Sequence, residues 1–174
     1  MGIVILLLAA ALLILVVVYA SGSDDKNRTT VPSLDLPRYM GLWYEIARYD
    51  HPFERGLDRV RAQYELRPDG SVGVLNSGAD LRTGRRKQAR GKAHMSRLPG
   101  RLRVSFFWIF YSDYNIMELA GDYSWALVGG SSPKLLWILS RTPVLPAHTL
   151  NRILRLAEQR GYRTDKLLFV GQDG

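Results

Sequence analysis

A chain of this size does covalent or metal-assisted chemistry with histidine, cysteine, serine or paired carboxylates, and here those side chains are sparse. His51, His94 and His148 lie far apart without metal-ligand spacing, so each is expected to be a surface or capping histidine. There is no cysteine, which excludes disulfides, zinc–thiolate sites, thiol nucleophiles and an acylated N-terminal Cys. No Gly-x-Ser-x-Gly elbow and no phosphate-cradling loop occur. The expectation is a protein that is not an enzyme, with no catalytic residue, no metal and no cofactor.

The remaining chemistry is charge and apolar surface. Lys and Arg number 24 against 16 Asp and Glu, a formal charge of +8. The basic residues are densest at Arg82, Arg85, Arg86, Lys87, Arg90 and Lys92. That cluster reads either as a phosphate-binding stripe, with Arg82, Arg85 or Arg86 meeting a headgroup, or as a solvated hairpin. No aromatic residue is interleaved in Leu81–Lys92, so the stacking platform of a single-strand binder is missing and no nucleic-acid partner is expected. An anionic bilayer would attract the same patch by roughly 1 kcal/mol per basic residue. Phe106–Tyr111, with Phe107, Trp108, Ile109 and Phe110 in succession, is an unusually apolar loop; exposed, it would be a membrane-contact or dimerisation patch.

With 47% hydrophobic and 23% charged residues the composition is globular, yet the apolar residues are unevenly spread. Ile3 to Ala20 is apolar but for Tyr19, and residues 1–20 carry no charge. Such a helix spans about 27 Å, close to a hydrocarbon core. Its length and the absence of a preceding Lys or Arg favour an uncleaved transmembrane anchor; Val18-Tyr19-Ala20 before Ser21-Gly22 favours a cleaved signal segment. Lys26, Arg28 and Arg38, counted alone, place the following domain on the cytoplasmic side. Residues 21–33 read as a polar linker and 34–174 as one domain.

Within that domain, short alternating segments are separated by turns. Ala62, Tyr64 and Leu66 alternate with polar neighbours before Arg67-Pro68-Asp69-Gly70; Ala89, Gly91 and Ala93 form a second face; Leu102, Val104 and Phe106 follow Arg97-Leu98-Pro99-Gly100. With Leu42–Tyr49, Val72–Val74, Tyr114–Leu119, Tyr123–Gly129 and Leu135–Ser140 these make eight strands, an all-β up-and-down antiparallel barrel or a sandwich. Leu150, Ile153, Leu154 and Ala157 follow helical spacing and Gly161 stops that helix. Leu135–Arg141 is apolar on both faces, so the helix is expected to pack outside the barrel against it. Leu167–Val170 is a candidate last strand. Small inward residues at Ala62, Ala89, Gly91 and Ala93 leave room inside; a fully packed interior is the competing reading.

Gly41-Leu42-Trp43-Tyr44-Glu45-Ile46-Ala47-Arg48 resembles the lipocalin signature, in which Gly-x-Trp opens the barrel. Leu136-Trp137-Ile138-Leu139-Ser140-Arg141-Thr142-Pro143 resembles its late motif, and Gly121-Asp122-Tyr123-Ser124-Trp125-Ala126-Leu127 its middle one. With Val104–Phe107, Phe110-Tyr111 and Tyr49–Leu57, the likeness covers residues 34–171 and narrows to the bacterial lipocalins, the outer-membrane lipoprotein branch. It implies an eight-stranded calyx binding lysophospholipids or fatty acids, a role in storing or transporting them for envelope maintenance, and a membrane partner; members of the branch can form homodimers. It also sets the barrel outside the cytoplasm, in the periplasm at the outer membrane, against the short charge count. The branch's lipobox Cys is absent, so the apolar segment would replace the lipid anchor.

The expected cavity residues are Tyr64, Val74, Phe106, Trp137 and Leu139, with Tyr111 and Tyr114 nearer the rim. Gly41, Trp43 and Arg141 are expected to be structural: the guanidinium would lie over the indole, worth about 0.5–2 kcal/mol, and donate to strand-end carbonyls. Glu45, on the same face as Trp43, is expected to bond barrel-floor backbone. The readings that compete with a lipid carrier are an enzyme using the same cavity and a structural membrane protein with a filled barrel.

Overall fold

A computed structural model describes residues 26–107 and 109–172. The anchor or signal segment at 1–20 and Trp108 lie outside the described residues.

Eight strands run antiparallel in chain order: β1 (Gly41–Tyr49), β2 (Leu57–Leu66), β3 (Val72–Asp80), β4 (Arg86–Met95), β5 (Arg101–Phe107), β6 (Phe110–Leu119), β7 (Trp125–Gly130) and β8 (Leu136–Ser140). Each pairs with the next, and β1 pairs with both β2 and β8, which closes the barrel. Closure removes the sheet edges that an open sheet would expose. A short strand β9 (Leu167–Phe169) adds to β1 at Ala47–Tyr49. Two helices complete the domain, α1 (Leu36–Tyr39) before β1 and α2 (Ala147–Gln159) after β8.

The alternation of β8 divides the apolar residues between two cores. Leu136 and Ile138 face outward and pack with Ile153 and Ala157 of α2, Met117, Leu127 and Tyr162. Leu139 and Trp137 face inward with Trp43, Tyr64, Val72, Val74, Ala93, Leu102, Ile116 and Val128. The helical stripe read at 150–157 is therefore the stripe that covers the barrel wall.

In an up-and-down barrel the turns alternate between the ends. One end carries the β2–β3, β4–β5 and β6–β7 turns; the other carries β1–β2, β3–β4, β5–β6 and β7–β8. At the first end α1 crosses the opening, its start capped by Asp35, whose carboxylate accepts from the Arg38 backbone N–H at 3.2 Å. Residues 27–31 also bind the barrel: Asn27 N–H donates to the Arg160 carbonyl at 3.0 Å and Val31 N–H to the Ile116 carbonyl at 2.9 Å. The C-terminal part of the expected linker thus lies along the domain.

Candidate functional site

The closed end is built on Trp43, which is fully buried and donates from its indole N–H to the Tyr39 carbonyl at 2.8 Å. Arg141 lies over the indole, its guanidinium carbon 3.8 Å from the ring centroid. It donates to the carbonyls of Leu42 at 2.9 Å and Arg38 at 2.8 Å, which ties β1 and α1 to the end of β8. Gly41 has φ of +95°, and a Cβ there would stand 3.4 Å from the Arg141 guanidinium; the left-handed turn into the floor thus needs glycine.

Above this floor three phenols fill the tube. Tyr39 OH and Tyr114 OH are 2.7 Å apart, and Tyr64 OH donates to Tyr114 OH at 3.2 Å. Burial raises all three hydroxyls above the ordinary tyrosine value, Tyr64 to about 12, so they stay neutral and can share protons as donors and acceptors. The free space left among Tyr39, Tyr64, Ala93, Leu102, Val104 and Tyr114 is about 10 Å³, near the room one water needs. The lower half is packed. Tyr114, expected nearer the rim, belongs to this deep cluster, because it pairs with Leu102 and Gly130 and its hydroxyl meets the plug.

The upper half differs. Asn76 pairs with both Ala62 and Ala89, and the buried Val74 with Gly91, so Ala62, Ala89 and Gly91 put small residues on one stretch of wall. Ala89 faces inward yet is exposed, and Phe106 keeps 37% of its surface accessible. A Cβ on Gly91 would come within 2.8 Å of the Phe106 ring and 2.6 Å of the Ser105 carbonyl oxygen, so glycine lets the ring lie flat across β4. Inward residues reached by solvent mean that the calyx is open at this end.

On β1 and the β1–β2 loop stands a polar cluster that the alternation does not announce. A bulge between Glu45 and Ala47 lets both Glu45 and Arg48 turn inward, and they form an ion pair of 2.7 Å. Glu45 therefore bonds Arg48 rather than floor backbone. Arg48 also donates to the carbonyls of Glu54 at 2.9 Å and Leu57 at 3.0 Å, which pins the β1–β2 loop. The Glu54 carboxylate accepts from the Trp137 indole at 3.1 Å and lies 3.0 Å from His51 Nε2. His51, expected to be a surface or capping histidine, is 1% exposed, its ring edge-on to Trp137 at 5.3 Å. Burial, then the neighbouring Glu54, holds the Glu45 carboxyl well above the usual range despite Arg48. Burial pushes Glu54 upward too, but the bonds from His51 and Trp137 outweigh it and leave Glu54 below that range.

Of the expected cavity residues, Tyr64, Val74 and Leu139 lie in the packed inner core and Phe106 and Trp137 line the open half. Tyr111 faces out: its ring meets His94 at 4.9 Å and Lys92 at 5.8 Å. The β6 alternation through Ser112 and Tyr114 puts it on the opposite face from the interior. Residues the sequence reading missed are Tyr39, Arg48, His51 and Glu54. Only Asp35 ahead of Leu36-Pro37 hinted at the helix that carries Tyr39.

Residues 34–172 match the family model described as a lipocalin-like domain. The chain belongs to the lipocalin family. Its relatives place it with the bacterial Blc-type lipocalins. It is 45% identical over 148 residues to the outer membrane lipoprotein Blc of Escherichia coli K12, covering 84% of each chain. It is 43% identical over 145 residues to the Blc of Vibrio cholerae, covering 82% of this lipocalin and 85% of that one. Among solved structures, the cockroach allergen Per a 4 superposes with a TM-score of 0.70 at 19% identity, over 86% of this lipocalin and 97% of the allergen.

Proposed function

We propose that this lipocalin is a carrier for single-chain lipids, lysophospholipids or fatty acids, at the membranes of a bacterial cell envelope. The reading rests on one observation: the barrel is closed and filled at one end and open to solvent through apolar and small inward residues at the other. The acyl chain lies against Phe106, Gly91, Ala89 and the Trp137 ring, with its polar head at the mouth. Burial of methylene groups drives uptake at roughly 0.8 kcal/mol each. Trp137 is held by its bond to Glu54 and by the His51 ring, so this apolar face is oriented before cargo arrives.

That its relatives are outer membrane lipoproteins supports a location at the cell envelope, with the barrel in the periplasm and residues 1–20 acting as the membrane segment. Native mass spectrometry of full-length protein released from its own membranes is the test. A lipid of one acyl chain bound one to one supports the carrier, and Trp137→Arg should abolish its retention. Protein without co-purified lipid that also fails to bind a fluorescent fatty acid would overturn the reading.

A further inference from the structure

The open end is ringed by large apolar side chains that nothing in the fold covers. Phe107 is 57% exposed, Ile109 75% and Phe110 52%, all at the β5–β6 turn, where Phe107 pairs with Phe110. Leu81 at the β3–β4 turn is 68% exposed and Phe53 on the β1–β2 loop 51%. The topology brings all three turns to this end. The closed end also exposes Leu42, Leu66, Leu98 and Val144, but these are single aliphatic side chains on four separate segments, with no aromatic among them and no run like Phe107, Ile109 and Phe110. Five aromatic or aliphatic tips at one rim, three of them on a single turn, exceed the scattered singles of an ordinary surface.

Charge completes the pattern. Arg82, Arg85, Arg86 and Arg90 are all exposed on the β3–β4 hairpin and upper β4, the strand that flanks β5. Lys87 is neutralised by Asp80 at 2.7 Å, whereas these four guanidinium groups form no ion pair among the described residues. Apolar tips flanked by unpaired arginines fit an anionic lipid surface: the tips enter the acyl boundary and the arginines meet headgroup phosphates. They do not fit a second copy of this chain, which would bring the same four positive charges against them.

We infer that the calyx docks rim-first on anionic bilayers through Leu81, Phe107, Ile109 and Phe110, with Arg82, Arg85, Arg86 and Arg90 holding the phosphates. In this pose the mouth faces the acyl layer, so a lipid leaves the bilayer for Phe106 and Trp137 without crossing water. The loading route rests on the carrier reading, but the docking surface stands on exposure and charge alone.

The absence of cysteine allows a clean test in the full-length chain. Ile109→Cys at the rim and Leu98→Cys at the closed end are each labelled with nitrobenzoxadiazole and reconstituted into vesicles. Phosphatidylcholine vesicles with and without one-third phosphatidylglycerol, each with or without bromine-quenched acyl chains, are compared. Docking requires the rim label to be several-fold brighter, blue-shifted and quenched by brominated chains in the anionic vesicles, with the closed-end label unaffected. It also requires that this signal disappear in Arg82→Glu/Arg85→Glu/Arg86→Glu protein and weaken at high salt, since the attraction decays over about 10 Å at 0.1 M. A rim label that stays water-like in both vesicles, or matches the closed-end label, overturns the proposal. Self-quenching of the rim label at rising protein concentration without lipid assigns the rim to a second copy and overturns it too. Fatty-acid titration of the same proteins separates the two ideas: uptake without docking defeats only the rim, and docking without uptake only the carrier.

Discussion

The lower and upper halves of this barrel are made by the same eight strands and behave as opposites. Below, inward positions hold Trp43, Tyr64 and Tyr114, Tyr39 of α1 packs among them, and about 10 Å³ of space is left. Above, β3 and β4 turn Asn76, Ala89 and Gly91 inward and solvent reaches them. The inward residues set the difference, since small side chains on two neighbouring strands leave inward positions that solvent reaches, where the tyrosines below fill theirs. One half supplies stability, the other capacity.

The largest break in that contrast is at the floor. Trp43→Ala should cost about 3–5 kcal/mol, read from urea unfolding, because a fully buried indole under a guanidinium leaves both a void and an unstacked charge. The sharpest comparison places the same substitution on one strand in each half. Ala93, 2% exposed among Leu102, Val104 and Tyr64, should lose about 1–3 kcal/mol as Ala93→Trp through overpacking. Ala89→Trp, four residues up the same face, should change stability by less than about 0.5 kcal/mol, yet weaken fatty-acid binding roughly tenfold or more. Equal losses of stability at both sites would end the distinction.

Smaller effects probe the polar devices of each half. Tyr114→Phe removes the hydroxyl shared by Tyr39 and Tyr64 and should cost about 1 kcal/mol with binding intact. Glu45→Gln should show mainly in the pH profile. The raised Glu45 value makes its contribution to folding complete below the ordinary glutamate value of 4.5 and lost as pH rises through the folded value. Glu54, lowered, contributes above that range and loses its contribution as pH falls. Urea midpoints of Glu45→Gln should therefore keep the acid-side loss and lack the decline on the alkaline side.

Much of this was legible in the residues. Alternation at Ala62–Leu66, Ala89–Ala93 and Leu102–Phe106 gave strands with the right inward faces, and the spacing of Leu150 to Ala157 gave a helix that does cover β8. The polar cluster was not legible, because a bulge reverses alternation without leaving a mark when the residues at it, Ile46 and Ala47, are both apolar. Strict alternation from Trp43 puts Arg48 outside; the bulge puts it beside Glu45 and draws Glu54 and His51 in behind it. The plug was hidden for another reason: α1 is four residues long, too short for periodicity to mark Tyr39 as an inward residue. Tyr111 misled because its neighbours at 106–110 are so apolar that the turn, rather than the parity of β6, decided its reading.

The central claim is that cargo occupies the upper half alone. Titration of dansyl-undecanoic acid into the parent protein and Ala89→Trp tests it directly. The account predicts saturable one-to-one binding in the parent, displaced by lysophospholipid and lost in the variant at unchanged urea midpoint. Undiminished binding by Ala89→Trp, or none by the parent, would contradict it.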